Sequence, residues 1–144
     1  MTITGGNTLT VNSGVLKSGG GAATITGGTL ASAFANGANG EFIIRTDTIA
    51  DELTINSTLA LGGGGTPVIN KHGNGRLILG GTNSYTGSVT VRQGALQVTS
   101  NGALGTSAGG VVVGSGTVLE LNGAAGSTLA IADTRRWLER AVIG

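Results

Sequence analysis

Residues 71–98 read Lys71-His72-Gly73-Asn74-Gly75-Arg76-Leu77-Ile78-Leu79-Gly80-Gly81-Thr82-Asn83-Ser84-Tyr85-Thr86-Gly87-Ser88-Val89-Thr90-Val91-Arg92-Gln93-Gly94-Ala95-Leu96-Gln97-Val98. Three short segments in it, Arg76–Leu79, Ser88–Val91 and Ala95–Val98, alternate with the period of two that marks strands. Glycine stands between them, where a chain must turn sharply without a bulky Cβ. The core of the pattern, from Val89 to Leu96, is apolar-x-apolar-x-x-Gly-x-apolar: a strand, a glycine corner, a second strand.

The same pattern recurs outward in both directions, at Leu9–Leu16, Ala23–Leu30 and Val111–Val118. Some copies are spaced by one turn of a solenoid: Val89 to Val111, and Ile3-Thr4-Gly5-Gly6 to Ile25-Thr26-Gly27-Gly28, are each about 22 residues apart. Other copies are offset differently, so either coil lengths vary or different faces share the motif. A parallel coil stacks on its neighbour at about 4.8 Å, and coils of about 22 residues would give about six of them and roughly 30 Å of axis. Leu9, Val11, Ile25, Leu77, Leu79, Val89, Val91 and Leu96 are expected to point inward. Further strands are expected at Thr8–Val11, Val15–Lys17, Ala22–Ile25, Glu41–Arg45, Leu53–Asn56, Thr58–Leu61, Pro67–Ile69, Gly110–Val113, Val118–Leu121 and Thr128–Ile131.

Composition agrees. The chain has 144 residues, 29 of them Gly, with 39% hydrophobic and 10% charged residues and a net charge of +1. That is too apolar and too weakly charged for disorder, and collagen would need far more Pro than the single one here. No run is long enough for a membrane helix. Aromatics make up 3%, so the stacking platforms of single-strand nucleic-acid binders are missing, and the thinly spread Lys and Arg give no basic stripe. Cysteine is absent, which leaves stability to packing. No signal-peptide pattern precedes Thr2, so export would need a signal outside this sequence or another route.

The end of the chain reads differently. Asp133-Thr134-Arg135-Arg136-Trp137-Leu138-Glu139-Arg140-Ala141-Val142 concentrates charge and lacks turn residues. As a helix capped by Asp133, it would put Trp137, Leu138, Ala141 and Val142 on one face and cover the last coil. As a strand, it would put Arg136, Leu138 and Arg140 on one face. The domain reading is therefore a parallel β-helix over residues 1–132 and a cap or linker over 133–144.

Residues 71–98 closely resemble the passenger-associated transport repeat of bacterial autotransporters: Gly73-x-Gly75, the strand of Leu77 and Leu79, then Gly80, the run Asn83-x-Tyr85-x-Gly87, the strand of Val89 and Val91, and Gly94-x-Leu96. Asn101-Gly102-Ala103-Leu104-Gly105 and Gly116–Gly123 look like its continuation, and the likeness extends over residues 8–123. The resemblance implies an all-β, right-handed parallel β-helix of the pectin-lyase-like kind, carried by an exported protein at the outer surface of a bacterium. The sequence departs from that family in having no translocator barrel, and the tail after Gly123 does not follow the pattern.

Candidate chemistry is sparse. His72 is the sole histidine and lacks the partners of a metal site or triad; it reads as a coil-surface residue. Asp47, Asp51 and Glu52 lie close to Arg45, the nearest approach to the carboxylate and arginine set of a polysaccharide-cleaving β-helix. They share one stretch of chain, where neighbouring coils should contribute, and read as a solvated loop. Gly62–Gly65 lacks the Asp of a calcium-binding nonapeptide. Asn83 and Tyr85 read as structural, the amide bonding a turn and the ring packing at a corner; sugar stacking is the alternative for Tyr85. Thr-x-Thr pairs at Thr2/Thr4, Thr8/Thr10, Thr24/Thr26 and Thr46/Thr48 suggest an ice-binding face but lapse after Thr48.

The functional expectation is therefore a structural surface module, an adhesin or stalk scaffold without enzymatic activity, cofactor or metal. Expected partners are a host or matrix surface and, through unpaired strand edges at the ends of the solenoid, other copies stacked end to end. The alternative is a β-helix that cleaves or binds polysaccharide.

Overall fold

The computed structural model describes residues 1–34, 39–62, 65–106 and 108–123, and the backbone of 141–143. It is all-β. Strands β1 (Thr8–Val11), β2 (Gly14–Lys17) and β3 (Gly21–Ile25) are followed by β4 (Thr29–Ser32), β5 (Glu41–Thr46), β6 (Asp51–Ile55) and β7 (Thr58–Ala60). After them come β8 (Val68–His72), β9 (Arg76–Leu79), β10 (Val89–Val91), β11 (Ala95–Val98), β12 (Val111–Val113), β13 (Val118–Leu121) and β14 (Ala141–Ile143).

Every named pairing is parallel, and the strands fall into three sheets: β1-β4-β7, β2-β5-β8-β10-β12 and β3-β6-β9-β11-β13-β14. The chain visits the three in rotation, which makes a parallel β-helix with three faces. Where β10 and β12 are reached, the short sheet's place in the coil is held by the non-strand segments around 82–85 and 102–106.

The core is built from in-register files. One runs Ala23, Leu53, Leu77, Leu96, Leu119. A second runs Ile25, Ile55, Leu79, Val98, Leu121. A third, on the five-stranded sheet, runs Phe42, Ile69, Val89, Val111, and a fourth Leu9, Leu30, Leu59. Each buried aliphatic contributes about 1.5–3 kcal/mol, and stacking like on like gives every coil the same cross-section. The eight side chains expected inside all join the core: Leu9 and Val11 pack against it partly buried, the other six are buried.

Register explains the uneven motif spacing. Val89 pairs with Val111, as its spacing predicts. The Ile3 and Ile25 copies do not pair in kind: Thr2 bridges Thr26, and the Ile3 N–H donates to Thr26 O at 2.8 Å. Coil length varies too, since Gly14 pairs with Ile43 while Ile69 pairs with Val89. The pattern that looked like one repeat occupies different faces. From Leu9 it runs from the short sheet to the five-stranded one, and from Val89 and Val111 from the five-stranded sheet to the six-stranded one.

Three expectations need correction. Thr29–Ser32 forms a strand that the list of expected strands omits. Asp51 is no loop residue: it opens β6 and is 1% exposed. Ala141–Ile143 extends the six-stranded sheet beside Leu119–Leu121, so a helix covering the last coil does not include Ala141 and Val142. The expected strand Thr128–Ile131 and the tail from Asp133 to Arg140 lie outside the described residues.

Candidate functional site

The segment singled out by sequence builds one coil and bonds it to the next. Gly73 and Gly75 form the corner between β8 and β9; Leu77 and Leu79 point inward from β9; Gly80 follows it. Val89 and Val91 point inward from β10, Gly94 turns the next corner, and Leu96 points inward from β11. Two glycines are demanded by close approach. Gly73 has φ of 78° and a Cβ there would strike Thr46 O of the preceding coil; a Cβ on Gly87 would strike Pro67 O.

Asn83 and Tyr85 lie where the short sheet gives way to irregular chain. The Asn83 Oδ1 accepts from the Leu59 N–H at 2.8 Å, and its Nδ2 donates to Ala103 O at 2.6 Å. Leu59 belongs to the coil before and Ala103 to the coil after, so one amide side chain links three coils. The backbone adds Ser84 N–H to Leu59 O at 3.1 Å and Asn83 N–H to Gly102 O at 2.9 Å. Tyr85 is 1% exposed, which leaves no face for a sugar to stack on. Its hydroxyl donates to Ala103 O at 3.2 Å, and burial pushes the phenol well above its ordinary range.

Lys71 was missed by sequence reasoning. It occupies an inward position in register with Ile44 and Val91 and is fully buried. Its ammonium donates to the carbonyls of His72 (2.9 Å), Gly73 (2.7 Å) and Gln93 (3.1 Å), matching three donors to three acceptors at the corner. Burial, and then the charge of Arg45, pull it down to about 8. The readable signal was its place: a lysine in the inward phase of a strand, immediately before a Gly-x-Gly corner. Lys17 does the same two coils earlier, donating to Ser18 O and Gly20 O at 3.0 and 2.9 Å.

Of the acidic residues near Arg45, Asp51 is buried and fully engaged, while Asp47 and Glu52 stay partly exposed in ion pairs. Asp51 accepts from Lys17 Nζ (2.7 Å), Gly20 N–H (2.8 Å), Thr48 N–H (2.8 Å) and Thr48 Oγ1 (2.9 Å). Lys17 first, then the Thr48 N–H, hold its carboxyl far below the ordinary 3.8. Asp47 pairs with Arg45 at 2.7 Å, both half exposed. Arg76 lies between Glu52 (3.5 Å) and Glu120 (3.1 Å), and Gln97 donates to Glu120 at 2.9 Å. A groove of about 390 Å³ runs beside these, lined by Ile49, Glu52, Asn74, Arg76, Gly94 and Gly116 among others.

His72 lies half-buried on the outer face of β8, opposite Arg45. Among the described residues no group of three or more His, Asp or Glu could hold a metal ion, and no helix is long and apolar enough to cross a membrane. The threonine pairs do not make a regular face: Thr10 pairs with Ala31, and Thr46 is buried.

No curated protein and no solved structure matches the chain. Residues 69–98 match the family model of the passenger-associated transport repeat. These residues run from Ile69 in β8 to the end of β11, so the matched segment spans one full circuit of the solenoid, from Ile69 to its partner Val89, and the first part of the next. The chain therefore carries, at residues 69–98, a repeat of the kind found in autotransporter passengers.

Proposed function

We propose that this chain is a rigid, non-catalytic segment of an autotransporter-type passenger, displayed at the bacterial surface as an adhesin or stalk scaffold. The observation that carries the reading is the transport repeat at residues 69–98, whose Lys71, Asn83, Tyr85 and Gln93 all bond backbone in their own or adjoining coils. Side chains spent on stitching coils together suit a load-bearing rod. The same economy argues against catalysis: the four donors on Asp51 leave it no lone pair for a substrate. The test is display. Fused to an outer-membrane translocator, the chain should become accessible to antibody on intact cells. Purified, it should leave pectin-like polymers uncut; turnover lost in Asp51→Ala would overturn the non-catalytic part.

A second reading, end-to-end stacking into filaments, is favoured by the first coil. A hollow of about 360 Å³ there is lined by Leu9, Val11, Val15, Ile25, Leu30 and Leu53, and among the described residues β1 and β2 are edge strands of their sheets. Another coil placed on this end would continue the sheets and fill the hollow. Sedimentation should show assembly that Val15→Lys abolishes; a chain that stays monomeric at high concentration removes this reading.

A further inference from the structure

We infer that the first residues of the chain are a two-register latch. Met1–Ile3 lies two residues away from a second parallel alignment on Ala23–Thr26, and the switch between the two controls whether this end of the solenoid accepts another coil. The control over docking rests on the stacking reading above; the two alignments do not. In the observed alignment Thr2 bridges Thr26. Met1 N donates to Thr24 O at 2.7 Å, the Thr26 N–H to Met1 O at 3.1 Å and the Ile3 N–H to Thr26 O at 2.8 Å. Ile3 is 8% exposed and covers the next corner, where a Cβ on Gly28 would strike its side chain. Two features of this alignment stand out. Met1 is 63% exposed at the rim of the hollow that Ala23 and Ile25 help to line. And five residues, Ile3–Asn7, span the corner that Gly27 and Gly28 alone span in the next coil, because Thr2 faces Thr26 while Thr8 faces Thr29.

A shift of two residues answers both. Side chains on a strand alternate with a period of two, so a two-residue slip keeps inward side chains inward. It sets Ile3-Thr4-Gly5-Gly6 on the identical Ile25-Thr26-Gly27-Gly28. Ile3 then extends the file of Ile25 and Ile55, and Met1 extends the file of Ala23 and Leu53, the stacking that the rest of the core uses. The corner shortens to Gly5, Gly6 and Asn7. Gly5 and Gly6 have positive φ and open space around them, so this corner can reshape. The shift gives up the cover that Ile3 provides over Gly27 and Gly28. With no coil above, Met1 and Ile3 gain little burial in the files, and an isolated end keeps the first alignment. A coil docked on β1 and β2 buries both side chains, so docking and the second alignment favour each other.

The chain has no cysteine, so a pair of introduced thiols can hold each alignment in the full chain. Thr2→Cys with Thr26→Cys locks the first, and Thr4→Cys with Thr26→Cys locks the second; residues facing one another on neighbouring strands are close enough for a disulfide. Mild oxidation of the dilute chain, read by peptide mapping, should close an intramolecular bond in both variants, faster in the first. Thr4→Cys with Thr24→Cys, which needs a further slip, should stay reduced. Circular dichroism checks that each variant is folded. In sedimentation the first lock should weaken assembly at least tenfold and the second should strengthen it several-fold, with reduction of the bond reversing both. The latch is overturned if the Thr4 and Thr26 positions do not cross-link, or if Thr4 and Thr24 cross-link as readily, which would mark a loose end with no second register. It is overturned too if the wild type assembles and the two locks assemble alike. A chain that is monomeric in every form, with both bonds closed, would sink the stacking reading and its control while leaving the two alignments in place.

Discussion

Asn83 offers the sharpest test of how the transport repeat stabilises the solenoid. Its side chain satisfies a buried N–H on Leu59 and a buried carbonyl on Ala103. Asn83→Ala orphans the N–H, costing about 1–3 kcal/mol, while Ala103 O keeps Tyr85 as a partner, so its loss is nearer 1 kcal/mol. The expected total is about 2–4 kcal/mol, read as a lower urea midpoint by far-ultraviolet circular dichroism. Asn83→Asp separates the two bonds. An aspartate can still accept from Leu59, but its second oxygen then faces the Ala103 oxygen unless it is protonated. The acid form is favoured in the fold, so the folded pKa rises above the unfolded value of about 3.9. The variant's stability is then fully present below that value and is lost as pH rises through the folded pKa. Measured against the wild type at each pH, Asn83→Asp should be nearly neutral at about pH 3.5 and cost several kcal/mol at pH 7. A deficit independent of pH, or an Asn83→Ala cost below about 0.5 kcal/mol, would refute the reasoning.

The remaining predictions concern the corners. For Lys71, lowered to about 8 from an ordinary 10.5, the folded state releases its proton first, so wild-type stability should rise relative to Lys71→Met as pH climbs from about 8 toward 10.5; urea titrations in that window check the sign. Asp51 has the opposite dependence: its depressed carboxyl stabilises the fold above 3.8 and that contribution fades as pH falls below it, so acid should lower the melting temperature of the wild type more steeply than that of Asp51→Asn. Gly73→Ala meets both a positive φ and Thr46 O and should cost about 2–5 kcal/mol. Gly116→Ala has a positive φ of 75° but open space and should cost about 1–2 kcal/mol, a difference that thermal denaturation would resolve.

Much of the fold was legible because a parallel β-helix repeats two simple signals: aliphatic residues in period two and glycine at each corner. Arg76–Leu79, Ala95–Val98 and Val118–Leu121 form strands with the bounds their alternation implies. What stayed hidden was register. Ile3-Thr4-Gly5-Gly6 and Ile25-Thr26-Gly27-Gly28 are identical, yet pairing aligns Thr2 with Thr26, because register follows from where the preceding corner ends. The Ala23–Leu30 copy of the pattern places a second strand at Leu30, yet Thr-Leu-Ala-Ser has one strongly apolar residue and is missing from the expected strands; its place is set by Leu30 stacking between Leu9 and Leu59. The acidic cluster misled for a related reason. Asp51 lies close in sequence to Asp47, but its role depends on Lys17, 34 positions away.

The polar residues buried in this solenoid share one position in its plan. Lys71 near the end of β8, Asp51 at the start of β6 and Asn83 beyond the short sheet all lie at or beside a corner, and all bond backbone groups there. A three-faced coil must leave the ladder three times per turn, and each departure exposes N–H and C=O groups that water cannot reach between stacked coils. Glycine solves the steric half of the problem by letting backbones approach. It cannot solve the hydrogen-bonding half, since it has no side chain to offer. Each tight corner therefore needs a partner residue able to reach across it: an ammonium for convergent carbonyls, an amide for a donor and an acceptor, a carboxylate for convergent N–H groups. On this view the Asn83-x-Tyr85 element marks the place where the short sheet ends and side chains take over the work of the missing strand.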